Sequence, residues 1–389
     1  MPMLPSRFIN LPGARARFGD RVDRLGAYLT RVDPAADAVV EAIEAMPPGE
    51  GWAIFRRAAR EGIASVPDAP EAFRALFHAV ERVPMWVDWD VLDHGGAALL
   101  RAGPLGGLVL GLKSLVLGYA SPAGNKPLIL SGRLEESAGR RLNETARFVQ
   151  VTIAPGGMRP HAPGWQLTLN VRLIHAQVRR MILRTDRWDA SSWGAPINQH
   201  DQLGTSLLFS VVVLEGLRQL GARIGPADAE AYVQLWRWSG WLMGIDLDLL
   251  PSTEAEARKL GELIAATQGD PDDDSRRLTR ALLQAPVRDA KDPRAETNAR
   301  RLTRFSAAMC RSLLGDAMAD HLAVEPTSWR YAVPFARRLV SSMELVRTNL
   351  PFGDEYALSA GTRYWERVVD QGLAGAAELA LPGRLASAA

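Results

Sequence analysis

The sequence predicts an all-α protein. Three observations predict it: helix starts marked by a cap and a proline, apolar residues returning at one-sided helical spacing, and no run of alternating strand-like residues. The segment DPAADAVVEAIEAM opens on Asp33 and Pro34, a cap followed by a first-turn proline. DAPEAFRALFHAVERV repeats the device with Asp68 and Pro70, after which Phe73, Leu76, Phe77 and Val80 line one face. PLGGLVLGLKSLVLGYA, from Pro104 to Ala120, is apolar enough to raise the question of a membrane span. Lys113 at its centre, its glycines and its short length predict a buried helix instead. Further helices are predicted over 136–152, 166–184, 201–222, 227–246, 253–267, 274–285, 297–317, 331–348 and 355–377.

The connections are equally legible. IAPGGMRPHAPGW, 153–165, is crowded with Gly and Pro and joins two helices, and TDRWDASSWGAPINQHD separates the next pair. Asp201 reads as the N-cap that follows, with Thr205 in a supporting place in the first turns. GDPDDDS, 269–275, reads as a solvated loop whose Asp274 or Ser275 caps the next helix. Trp236, Trp238 and Trp241 in LWRWSGWLMG read as core aromatics before they read as a ligand cage.

The chain has 389 residues, 47% hydrophobic and 23% charged, with no composition break, so residues 1–389 read as one multi-helix domain. The formal charge of +2, with arginines interleaved among Asp and Glu, argues against a nucleic-acid partner. Cys310 is the single cysteine, which excludes an internal disulfide and a thiolate-held zinc or iron–sulfur site. No C-x-x-C-H sequence is present for covalent haem attachment, and no Gly-rich phosphate loop for a Rossmann unit or P-loop. The first thirty residues show neither an apolar h-region nor a twin-arginine signal, so a cytoplasmic place without stable membrane insertion is the default expectation.

Two helix faces carry the chemistry. In NVRLIHAQVRR, residues 170–180, Arg172, His175 and Arg179 stand at i, i+3 and i+7 and share one face beside Leu173, Ile174 and Val178. Two cations beside an imidazole need an anion, either a carboxylate elsewhere in the fold or one on a bound cofactor. In RRLNETARFV, residues 140–149, Arg141, Glu144 and Thr145 form a polar strip, for which a solvated surface pair is the plain alternative. The Gly/Pro turn between the two stretches predicts an antiparallel hairpin whose faces share one gap. A lone imidazole opposite a polar strip suits non-covalent haem, with His175 on the iron and Arg172 or Arg179 on the propionates. A buried structural histidine remains the alternative. His78, His94, His161, His200 and His321 are scattered and form no metal cluster, and His161 and His200 read as loop residues.

RLNETARFV, VRLIHAQVRR and WGAPINQHDQLGTSLLFS together resemble the latex-clearing protein family of haem b oxygenases (rubber oxygenases) and its broader MpaB-type relatives. The resemblance spans roughly residues 60–255 and is most specific at Arg141, Thr145, His175 and the stretch from Trp193 and Gly194 to Thr205. It implies a globin-like helical core around a haem pocket, with N- and C-terminal helices packed around it. It implies His175 as proximal ligand of non-covalent haem b, with Arg141 and Thr145 on the distal side. The implied activity is dioxygen activation to cleave or oxygenate a carbon–carbon double bond of an apolar, isoprenoid-like substrate. Rubber-cleaving members carry an iron-capping lysine where this chain has Glu144, a departure that favours a small intracellular substrate and makes Glu144 the candidate proton acceptor. Two other classes use the same residues: a haem-based gas sensor or carrier without turnover, and a cofactor-free helical binding protein.

Overall fold

The computed structural model describes residues 4–130 and 138–373, with the side chains of 138–141 and 373 outside the description. Among the described residues every regular element is a helix, as predicted. Asp33 caps helix Pro34–Glu44 by accepting from the Ala36 amide at 3.2 Å. Asp68 does not cap its helix, which runs Glu71–Glu81 with Pro70 at the cap position. Asp272, neither Asp274 nor Ser275, caps helix Asp273–Arg288, and its carboxylate accepts the Ser275 amide at 2.9 Å. The acidic loop there is not wholly solvated, because Lys126 pairs with both Asp272 and Asp274.

Two predicted helices are broken, each for a visible reason. The Pro104–Ala120 stretch divides into Pro104–Val109, a π-helical turn at Leu110–Ser114, and Leu115–Tyr119. Lys113 lies in that turn and is buried, its ammonium 3.0 Å from Gln219 Oε1 and 3.6 Å from Glu215. Burial lowers the Lys113 pKa, against the pull of Glu215. Leu110, Gly111 and Leu112 of this turn line a cavity. The predicted 201–222 helix becomes Gln199–Phe209 and Val211–Gln219. Ser210 sits at the break, its hydroxyl bonded back to the Ser206 carbonyl at 2.9 Å, a bond that competes with the helical ladder.

The main core gathers around Trp165, Phe55, Phe73, Phe77 and Trp238, all buried. Trp238 stacks on Trp241 at 5.1 Å, meets Trp86 and Trp89 edge-on, and donates its Nε1–H to the Met158 carbonyl at 2.8 Å. These tryptophans are packing residues. Helices Trp89–Ala102 and Pro226–Leu242 cross through this core, and the Ala138–Ile153 and Pro163–Leu183 pair lies against them.

Candidate functional site

The predicted hairpin is present. Helices Ala138–Ile153 and Pro163–Leu183 pack together, joined by the Gly/Pro turn. A side chain at Gly157 would collide with the Val151 carbonyl, so glycine is what lets the turn fold back on the first helix.

His175 stands in the middle of the second helix. Its flank of Leu167, Val171, Ile174 and Val178 recurs at i, i+4, i+7 and i+11 and stays only half-buried, whereas Leu169, Leu173 and Ala176 on the other flank are buried. The imidazole keeps some accessible surface on that apolar strip while being deep in the protein. Burial pushes its pKa down to about 4, with the Arg179 guanidinium acting in the same direction and the Gln202 side chain opposing. The ring is therefore neutral near pH 7, the form that binds a metal. Its Nδ1 is buried and makes no hydrogen bond of good geometry, and the Gln202 side chain, whose Oε1 is also unsatisfied, is the one whose interaction raises the ring's pKa.

The anion that Arg172 and Arg179 require is supplied by the protein. Arg172 binds Asp33 through Nε–Oδ2 at 2.6 Å and Nη2–Oδ1 at 3.0 Å, and donates to the Leu242 carbonyl. Arg179 binds Asp37 at 2.7 Å and 3.0 Å and donates to the Ile197 carbonyl. Each guanidinium that was expected on a cofactor is thus paired with a bidentate carboxylate of the protein itself. Their effect is positional. Two ion pairs clamp the His175 helix to helix Pro34–Glu44 on either side of the imidazole. Gly244, with φ +89°, passes so close to the Asp33–Arg172 pair that any side chain there would strike both. Asp33 and Asp37 were missed as clamp residues, although two carboxylates one turn apart at the start of an apolar helix were a usable signal.

The distal strip divides. Thr145 lines a cavity of about 390 Å³ together with Gly111, Leu112, Phe305, Tyr364 and Trp365. His175 is not on that wall, so the single shared gap expected from the hairpin is not what the structure shows. Glu144 is half-buried, already has an interaction partner, and lies a helical step of about 100° round from Thr145. The Arg141 side chain falls outside the described residues. One turn on, Phe148 packs at 6.0 Å on Trp236, which stacks on Phe209 at 5.1 Å.

The loop motif anchors the N-terminal segment. Asn198, not Asp201, caps helix Gln199–Phe209, accepting the Asp201 amide at 2.9 Å. Asp201 instead forms a bidentate pair with Arg7 at 2.7 and 2.8 Å, and His200 Nδ1 lies 3.3 Å from the same carboxylate. Thr205 is exposed and bonds back to the Asp201 carbonyl, a supporting place as expected. His161 is a turn residue with φ 67°, packed on Trp165 at 5.0 Å. Burial raises the Asp201 pKa, but Arg7 and His200 outweigh it and hold the carboxyl well below its ordinary range. Its stabilising effect is therefore full above the unfolded carboxylate value near 4 and is lost as pH falls toward the depressed folded value. Asp201→Asn is expected to cost about 2 kcal/mol at pH 7 and to flatten the acid limb of stability below about pH 4. Thermal melts of both proteins between pH 3 and 7 measure this, and parallel curves would refute it.

Residues 89–345 match the family described as "ER-bound oxygenase mpaB/B'/Rubber oxygenase, catalytic domain". The chain belongs to this family. It is 27% identical over 186 residues to the rubber oxygenase of Streptomyces sp. (strain K30), 47% of this chain and 46% of the relative. The matched part thus spans about half the length of that curated relative. A solved structure of latex clearing protein LCP in the closed state superposes with a TM-score of 0.68 over 86% of this chain and 88% of that one, at 22% identity. The family member described here therefore shares the helical fold of that oxygenase.

Proposed function

We propose that this protein is a haem b-dependent oxygenase that uses dioxygen to cleave or oxygenate a carbon–carbon double bond of a small apolar, isoprenoid-like substrate in the cytoplasm. The observation that carries the proposal is the His175 imidazole: neutral, deep in the fold, and set on a half-covered apolar strip. Membership of the oxygenase family and the resemblance at Arg141, Thr145 and His175 support the same reading.

His175 is the residue here whose chemistry fits the cofactor, a neutral imidazole on a half-covered apolar strip. His175 would hold the iron, and the bound haem would supply the redox chemistry with dioxygen. The protein's own part is orientation and polarity. Asp33 and Asp37, through Arg172 and Arg179, fix the rotation of the His175 helix. Thr145, on the cavity wall, is the hydrogen-bond donor of this reading, and by the family resemblance Glu144 would take a proton and Arg141 would supply the distal cation. The leucines and aromatics of the cavity exclude water from an apolar chain.

The test is reconstitution with haem followed by oxygen uptake on a panel of isoprenoid alkenes, with product masses recorded. A Soret band with carbonyl or oxygenated products is expected. Stable gas binding without product would instead make the protein a carrier. The cavity has its own test at Gly111, where an added side chain meets nothing within 4 Å and would project into free space. Gly111→Leu is expected to keep haem and fold but lower alkene turnover roughly tenfold or more by filling the substrate's place. Unchanged turnover would put the substrate elsewhere.

A further inference from the structure

The cavity beside Thr145 is not uniformly apolar. Leucines, Phe305 and Trp365 make up much of its wall, and the hydroxyl-bearing side chains of Thr145, Ser306 and Tyr364 interrupt it from three different helices. A hydroxyl inside a fold is ordinarily bonded. Tyr232 donates its hydroxyl to the Phe209 carbonyl at 2.9 Å, and on the helix of Ser306 the Thr297 and Thr303 hydroxyls go to backbone carbonyls at 2.9 and 3.2 Å. Half-buried Ser306 and Tyr364 have no such partner among the described residues.

The helix, not the hydroxyl, holds Tyr364 in place. Gly361, Tyr364, Val368 and Gly372 stand at i, i+3, i+7 and i+11 on helix Gly353–Leu373 and share one face. At one end of that face Gly361 packs so close to the Leu100 carbonyl that any side chain would collide, and at the other the Asn143 amide donates to the Gly372 carbonyl at 2.8 Å. The middle, Tyr364 and Val368, is left to line the cavity. The Tyr364 ring meets Trp365 edge-on at 5.7 Å and carries its hydroxyl across to Gly107 of helix Pro104–Val109, where a Cβ would lie 2.5 Å from the phenol oxygen. Gly107 is on the same wall, and its lack of a side chain leaves room for that oxygen. Burial raises the Tyr364 pKa, and the neutral phenol both donates and accepts.

Water serves these hydroxyls while the cavity is empty. A hydrocarbon that expels the water leaves them unpaired, whereas a molecule carrying an oxygen keeps them bonded. Among the described residues the lining has no charged side chain, so the oxygen it suits is an uncharged one. We infer that Tyr364 is a specificity-determining residue of this cavity: its hydroxyl, with that of Ser306, selects an apolar molecule bearing an alcohol or carbonyl oxygen over a pure hydrocarbon. The selection rests on the cavity being the substrate's place in the proposed function. Binding needs no turnover, so a chain that binds as described below yet takes up no haem would lose the oxygenase reading alone.

The experiment is equilibrium dialysis of the full chain at neutral pH against the isoprenoid alcohol farnesol, the hydrocarbon farnesene and the ionised acid farnesoic acid. The wild-type chain should bind farnesol, and the acid roughly tenfold more weakly or worse. Tyr364→Phe should weaken farnesol roughly tenfold and leave farnesene unchanged. Gly107→Ala, whose methyl takes the hydroxyl's place, should weaken farnesol to a similar extent in the wild-type background. It should add nothing in Tyr364→Phe, because the ring carbon nearest that methyl is 3.4 Å away. Circular dichroism confirms that each variant is folded. Equal losses for farnesol and farnesene, no loss for either, tighter binding of the acid than of the alcohol, or no binding of farnesol by the wild type overturns the inference.

Discussion

His175→Ala is expected to yield a folded protein that retains no stoichiometric haem. The wild-type chain, expressed with a haem precursor, should show a Soret band, and the variant should lack it at unchanged helicity. The reason is geometric as well as chemical. The imidazole stands on its own apolar strip, flanked by Leu167, Val171, Ile174 and Val178. The neutral ring is the ligating form, and burial keeps it neutral down to about pH 4. His161→Ala is the control, because that ring packs on Trp165 in the turn and should leave the Soret band intact. A Soret band of full intensity in His175→Ala would remove the ligand and with it the proposed oxygenase.

The largest loss of stability is expected at Asp33→Ala. Asp33 has two duties: it caps helix Pro34–Glu44 and it neutralises Arg172, both partners being almost wholly buried. Losing the cap costs about 1 kcal/mol, and stranding the buried guanidinium costs about 3–5 kcal/mol. Chemical denaturation should therefore show a fall of about 4 kcal/mol or more. Asp33→Ala/Arg172→Met should recover part of that loss by removing the stranded charge. A loss below about 1 kcal/mol in the single variant would mean that the pair does not clamp the helix. Haem uptake of the variant reports the same clamp from the functional side, since a loosened His175 helix no longer fixes the ring.

Much of the architecture was legible because helices announce themselves locally. Asp33 with Pro34, the Phe73 to Val80 stripe and the Gly/Pro turn between the Thr145 and His175 helices all act within a few residues, so their outcome follows from sequence spacing. The errors fell where a long-range partner overrode local preference. Asp201 looked like a cap but found Arg7, 194 positions away, and the adjacent Asn198 took the cap. The Pro104–Ala120 stretch reads as one helix until Lys113 must reach Gln219, and the chain accommodates this with a π turn.

The candidate site shows the same division. That Arg172 and Arg179 flank an imidazole and demand an anion is a property of eight consecutive helical positions, and the sequence by itself determined it. Which anion answers was settled in three dimensions by Asp33 and Asp37, some 140 residues earlier in the chain. Likewise, the spacing of Arg141, Glu144 and Thr145 was visible at once, but only packing could decide that Thr145 lines a cavity walled by Phe305 and Trp365 and that Glu144 is not part of that lining. Helical period sets the direction of a side chain relative to its neighbours on the same helix; what that side chain meets depends on the burial of distant elements, to which the local sequence contributes no constraint.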